Sequence, residues 1–202
     1  NISEISLDEK SGLVLKKMSA RAAYTNQLAE LKDLVIQTNH SDIRLQAAFR
    51  YHSPEALTKR PGDTQTGLSF DHSRVGIADL LVFLPGLADQ LKGEEQSVLV
   101  LNGKMNGPLK NIQIPYLEIS GIGNTRLSAS GNIRGLPDGK KAYYDLLISR
   151  LNTSRKDLLR FIPAKSLPQN IRIPAQLAVN GKFTGTVNRF RVNLHLRTSN
   201  GD

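Results

Sequence analysis

Phe190-Arg191-Val192-Asn193-Leu194-His195-Leu196-Arg197 sets apolar and polar side chains strictly in turn. A period of two places Phe190, Val192, Leu194 and Leu196 on one face of an extended strand and the polar residues on the other. The pattern returns upstream. Ile43, Leu45, Ala47, Phe49 and Tyr51 alternate with Arg44, Gln46, Ala48, Arg50 and His52. Ala175, Leu177, Val179 and Phe183 share a face opposite Gln176, Asn180, Lys182 and Thr184. Weaker strands are expected over residues 13–15, 18–24, 31–36, 98–105, 112–119, 126–133 and 143–148. Strands with one apolar and one wet side belong to antiparallel sheets as a rule, so the expected fold class is all-β with short helices.

An internal repeat organises these strands. Asp79-Leu80-Leu81-Val82-Phe83-Leu84-Pro85 recurs as Asp157-Leu158-Leu159-Arg160-Phe161-Ile162-Pro163, and Asn102-Gly103-Lys104-Met105-Asn106-Gly107 recurs as Asn180-Gly181-Lys182-Phe183-Thr184-Gly185, both 78 positions on. Val35-Ile36-Gln37-Thr38-Asn39-His40-Ser41-Asp42 resembles Leu196 to Asp202, and Arg44-Leu45-Gln46-Ala47 resembles Arg126-Leu127-Ser128-Ala129. The expected organisation is a single elongated unit, residues 1–202, with a partial repeat over about 1–70, a full one over 71–148 and a partial one over 149–202. Stacked repeats bury their apolar faces only against neighbours, which favours an elongated shape.

Two segments break the strand pattern. Ile77, Leu80, Leu81, Leu84, Leu87 and Leu91 fall at helical spacing, with Ser73 or Asp71 as the expected cap and Pro85 as the kink or stop. The counterpart runs from Arg155 to Ile162, capped by Thr153 or Ser154 and ended by Pro163. Gly103/Gly107, Gly131/Gly135 and Gly181/Gly185 read as points of strand curvature or bulging. Residues 53–71, rich in Pro, Gly, Thr and Lys, read as a surface loop in which a domain boundary is possible.

Composition excludes several function classes. The chain has no Cys, which removes thiolate metal sites, iron–sulfur clusters, disulfides and thiol catalysis. The net charge of +9 suits an acidic partner or an anionic lipid headgroup. The basic residues are not gathered into runs, and aromatic residues at 5% are too few for a base-stacking platform, so no nucleic acid is expected. No stretch approaches 18 consecutive apolar residues and no signal peptide leads the chain, which begins at Asn1 and reads as cut from something longer. His40, His52, His72 and His195 show no metal-ligand spacing, with His52 and His195 at outward strand positions. In Asp71-His72-Ser73, adjacent residues cannot orient one another as a triad. Gly121-Ile122-Gly123-Asn124 is a turn, and the adjacent carboxylates Glu94-Glu95 read as a solvated loop. No active site, metal or cofactor is expected.

Several motifs in combination resemble the TamB/AsmA-like family of Gram-negative envelope proteins, most of all its large Bacteroidetes-type TamB-like members. They are Ser73, residues 79–85 as quoted, Leu101-Asn102-Gly103-Lys104-Met105-Asn106-Gly107, Gly131-Asn132-Ile133-Arg134-Gly135-Leu136-Pro137 and Asn152-Thr153-Ser154-Arg155-Lys156-Asp157-Leu158. Ser11-Gly12 and Leu34 to Ser41 fit as well. The resemblance implies a curved antiparallel β-sheet, a β-taco or repeating β-groove with an apolar interior. It implies a periplasmic portion of an inner-membrane-anchored translocation and assembly module, engaged in phospholipid movement between the membranes and in outer-membrane biogenesis. Phospholipid acyl chains are the implied cargo, and an Omp85-type outer-membrane protein is the implied partner, met through regions outside this chain.

Roughly twelve strands at about 4.8 Å would stack into a rod of about 55–60 Å. The candidate lipid-binding groove residues are Ile43, Leu45, Phe49, Leu127, Ile133, Leu177, Val179, Phe183, Phe190, Val192, Leu194 and Leu196. Alternation alone fits equally the inner faces of a closed sandwich. A β-augmenting scaffold or chaperone for outer-membrane β-barrel insertion, working without lipid, is the competing functional reading.

Overall fold

The computed structural model describes residues 7–8, 13–161, 173–186 and 188–198. Eleven antiparallel strands form one sheet in which sequence order is spatial order. They are β1 (Leu7–Asp8), β2 (Val14–Tyr24), β3 (Leu28–Thr38), β4 (Asp42–Arg50), β5 (Gln65–Gly76), β6 (Val98–Pro108), β7 (Asn111–Ile122), β8 (Thr125–Arg134), β9 (Tyr143–Ser154), β10 (Gln176–Thr186) and β11 (Arg189–Thr198). Helices α1 (Pro54–Lys59), α2 (Ile77–Phe83) and α3 (Arg155–Phe161) interrupt the meander. The sheet is curled and unclosed. No second sheet faces it among the described residues, so the closed-sandwich alternative falls. Ten inter-strand steps of about 4.8 Å give a stack of about 48 Å.

The curl has a specific cause. Between β3 and β4, Leu31 faces Ala47 and Leu34 faces Leu45, so two residues of β3 oppose one of β4. Strand β5 carries an extra residue at Asp71-His72, β7 at Pro115-Tyr116 and β9 at Ser149-Arg150, each seen against both neighbouring strands. These bulges sit near mid-strand on every second strand, and their residues are exposed. A bulge bends its own strand and sharpens the local twist. A row of outward bulges therefore creases the whole sheet away from them. Asp33 and His72 take left-handed φ values of 51° and 43°, residue types that tolerate them. Pro115 has no ladder N–H to give and finds its natural place in a bulge.

On the bulge-free strands, glycines stand at the inside of the crease. Gly131 lies between Ile114 and Leu146, and Gly181 between Ile148 and Leu194. A Cβ at Gly131 would sit 2.1 Å from the Asp145 carbonyl oxygen, and one at Gly181 2.0 Å from that of Asn193. The expectation that these glycines mark curvature rests on that close approach.

The repeat is visible element by element. Strand β5, α2 and β6 begin at residues 65, 77 and 98, and β9, α3 and β10 at 143, 155 and 176, an offset of 78 in each case. The Ile77 N–H donates to the Ser97 carbonyl at 2.9 Å, and its counterpart Arg155 N–H donates to Ala175 at 3.0 Å. Residues 71 and 148 both fall inside strands, β5 and β9.

Several sequence expectations need correction. Ser73 and Asp71 do not cap α2. Strand β5 runs on to Gly76, which takes the cap position, and the buried Ser73 hydroxyl donates to the Arg44 carbonyl at 2.7 Å while accepting its N–H at 2.9 Å. That pairing patches the ladder beside the β5 bulge. The leucine periodicity over 77–91 is one short helix followed by a 3-10 turn at Pro85–Leu87, since Pro85 stops α2. The loop expected over 53–71 is mostly regular structure, since it holds α1, a 3-10 turn at Pro61–Asp63 and the start of β5 from Gln65, which pairs with β4 and β6. Residues 13–15 and 18–24 belong to one strand, apart from Leu13 just before it. Ser154 does cap α3, accepting the Asp157 N–H at 3.1 Å. Ile162, Pro163, Ser11-Gly12 and residues 199–202 lie outside the described residues.

Replacing Gly181 by Val should lower the unfolding free energy by about 2 kcal/mol or more, through backbone strain and overpacking at the crease. Gly86→Val, where an added Cβ meets nothing within 4 Å, should stay within about 0.5 kcal/mol of the parent. Urea titration followed by circular dichroism compares the two.

Candidate functional site: the apolar face of the creased sheet

Residues paired across an antiparallel ladder point to the same side, so the register draws the face directly. One row runs Leu34, Leu45, Phe70, Gly103, Leu117, Ala129, Ile148, Gly181, Leu194 from β3 to β11. A second runs Ser73, Leu101, Ile119, Leu127, Leu151, Val179, Leu196. A third runs Ile114, Gly131, Leu146, Phe183, Val192, and a fourth Ile112, Ile133, Tyr144, Gly185, Phe190. Ile36 pairs with Ile43, Ala29 with Phe49, and Thr153 with Leu177, which brings in the remaining candidates. All twelve candidate groove residues share this face.

Their exposure differs along the stack. Leu177 and Val179 are each 8% exposed, whereas Phe190, Val192, Leu194 and Leu196 on the last strand are 37–54% exposed. Ile112 and Ile114 are nearly inaccessible, at 3% and 4% exposed. Total accessible surface is 13,296 Å2, against about 9,400 Å2 for a compact monomer of this mass. Tyr144 meets Phe183 edge-on at 6.5 Å between centroids, and Phe183 stacks on Phe190 at 5.3 Å, forming an aromatic run across β9 to β11.

One rim of the face is overhung. Ile77, Leu91 and Leu99 form the best-buried cluster, joined by Val75, Leu80, Leu81, Leu87, Ile119 and Ile122. Helix α2 and the chain after it thus cover the rim ends of β5 to β7. A buried carboxylate ties each helix to the hairpin two strands back. Asp79 accepts hydrogen bonds from the Thr38 and Ser41 hydroxyls of the β3–β4 turn. Asp157 accepts the Asn124 N–H of the β7–β8 turn at 3.1 Å and the Ser154 hydroxyl at 2.7 Å. Each aspartate is the third residue of its helix, where the exposed N–H groups favour negative charge.

Glu94 departs from the solvated-loop expectation. It pairs with Arg160 at 2.7 Å with both side chains about 15% exposed or less, and Arg160 also donates to the Lys92 carbonyl at 3.2 Å. These contacts fasten α3 to the segment following α2. Glu95 stays outside, its carboxyl held below the usual range chiefly by the Gly93 N–H. On the opposite rim Lys110 donates to Asp63 at 2.7 Å and lowers that carboxyl in the same direction.

The opposite face carries exposed charge, including Lys32, Arg44, Lys104, Arg126 and Lys182. Asp71 and His72 do hydrogen-bond, at 2.8 Å, because the bulge turns their side chains together. Ser73 is then on the other side of the sheet and serves Arg44, so the three make no catalytic unit. His40, His52 and His195 are exposed. Among the described residues no group of three or more His, Cys, Asp or Glu is placed to hold a metal ion. No described helix is long and apolar enough to cross a membrane.

Sequence reasoning missed Leu68, Phe70, Leu117, Ile119, Leu146, Ile148 and Leu151, which lie on the bulged strands. The signal was present, since their apolar spacing is two residues except for one step of three at each bulge. Comparison of the chain with family models, with curated proteins and with solved structures finds no match.

Proposed function

We propose that this chain is a section of a hydrophobic β-groove that conducts phospholipid between the inner and outer membranes and supports outer-membrane assembly. What carries the reading is a single apolar face, continuous over β2 to β11 and without a second layer among the described residues. Acyl chains laid along such a face gain about 0.8 kcal/mol per buried methylene while their headgroups stay in water. Exposed contiguous apolar surface on this scale otherwise favours aggregation. The resemblance to TamB/AsmA-like proteins supports the periplasmic placement, the inner-membrane anchor and an Omp85-type partner reached through other regions.

A second reading rests on its own observation. The outer edge of β11 is unpaired among the described residues and carries the four most exposed groove candidates. A nascent outer-membrane strand could add there by β-augmentation.

Native mass spectrometry of the purified chain tests both readings. Phospholipid adducts are expected, and lipid-free protein that captures unfolded β-barrel segments would replace the conduit by the scaffold. Leu194→Asp should cut lipid retention roughly tenfold, by putting a charge at the β11 end of the longest row. Because Leu194 is 37% exposed, its melting temperature should move by no more than a few degrees. A collapse of the fold in this variant would show that the face is core rather than groove.

A further inference from the structure

The two repeats differ in how one place on the apolar face is filled. Strand β2 spans residues 14–24 and β6 spans 98–108, so Leu15 stands where Leu99 stands one repeat on. Ile36, opposite Ile43, likewise matches Ile119, opposite Leu127. In the second repeat the space over Leu99 and Ile119 is filled by Leu91, which is 1% exposed. In the first repeat the same space is a cavity of about 380 Å3 between the strands and α2. Its walls include Leu15, Met18, Ile36, Ile43, Leu80 and Phe83.

Leu91 belongs to the connection over residues 77–97 that leads into β6. Leu13, just before β2, is part of the cavity wall. The polar groups of the wall are committed to one another, since the Thr38 and Ser41 hydroxyls both donate to Asp79. What faces the space is methyl and methylene, and the Asp79 carboxylate repels an anionic head. The volume falls within the ~300–1,000 Å3 of small-ligand sites.

We infer that this cavity is a subsite for the end of one acyl chain, which takes there the place that Leu91 fills one repeat along. The inference rests on the groove reading and adds to it a fixed point at which a tail is held end-on beneath α2. The tail enters first and the headgroup remains at the rim.

The probe is a phosphatidylethanolamine–phosphatidylglycerol vesicle carrying a phospholipid with a diazirine at the acyl terminus. After photolysis with the whole chain, labelled peptides are mapped by mass spectrometry. Label should concentrate on peptides holding Met18, Ile36 and Ile43, roughly tenfold above the rest of the face. Ile43→Trp, which fills the cavity, should remove that excess. Leu91→Ala, which empties the matching space, should create a second labelled zone at Leu99 and Ile119. Label spread evenly from β2 to β11 overturns the subsite and leaves the groove standing, whereas no label anywhere overturns both. The map of the unsubstituted chain decides the matter even where a variant fails to fold.

Discussion

A sheet with one apolar side and no partner layer would lie open to water unless something folds it over, and here that something is a row of single-residue bulges. The extra residues at Asp33, His72, Tyr116 and Arg150 point outward on every second strand, so each step of the stack bends the same way. Bulges alone would crowd the inner side of the crease. The strands between them relieve the crowding with Gly131 and Gly181, where the neighbouring backbone comes too close for any side chain, and with Gly103, where the approach is tight. Outward insertion and inward deletion of bulk are two halves of one device.

The crease also dictates what the helices do. A bent sheet still leaves the rim ends of its strands exposed, and the chain returns over them after β5 and again after β9. Neither helix exceeds seven residues, too short to hold itself in water. Their order comes from tertiary ties. The first free N–H of each donates to the segment entering the next strand, and the aspartate in the first turn reaches to the hairpin two strands back. Each tie spans three or four strands, so the rim staples the stack across its own direction of growth. The Arg160–Glu94 pair then links one repeat's helix to the previous repeat's connection. With both partners largely out of solvent, losing either leaves an uncompensated charge, which is costly in such a place.

Legibility in the sequence followed the bulges. All twelve groove candidates chosen from alternation fall on β4, β8, β10 and β11, strands that carry no extra residue. Strand β5 runs Thr66, Leu68, Phe70 and then Ser73, Val75, a pattern whose phase slips by one in the middle. Neither half is long enough to stand out, and the segment reads as a loop. Ser73 shows the same effect in reverse, since its spacing fits a helix cap while its hydroxyl repairs the ladder at the slip. The repeat was legible because its echoes at Asp79 and Asp157 lie in the ties, where side-chain chemistry is fixed. The role of Glu94 was not, because its partner is 66 positions away, on a helix that meets it only through the crease.

The proposed conduit would need a surface that holds its cargo without trapping it, binding well enough to enter and loosely enough to leave. The register supplies the first condition through rows of side chains repeated at every strand. Each step along a row exchanges one set of methyl contacts for a similar set, so no single strand need dominate. The glycines interrupt those rows at regular places and keep the depth of contact shallow. Leu91 acts in the same sense, since it closes a hollow that would otherwise break the evenness of the face at β6 and β7. The hollow left open beneath α2 is the exception to that smoothness, and in the proposed conduit its position at the rim would make it a place to hold a tail before the even part of the face takes over.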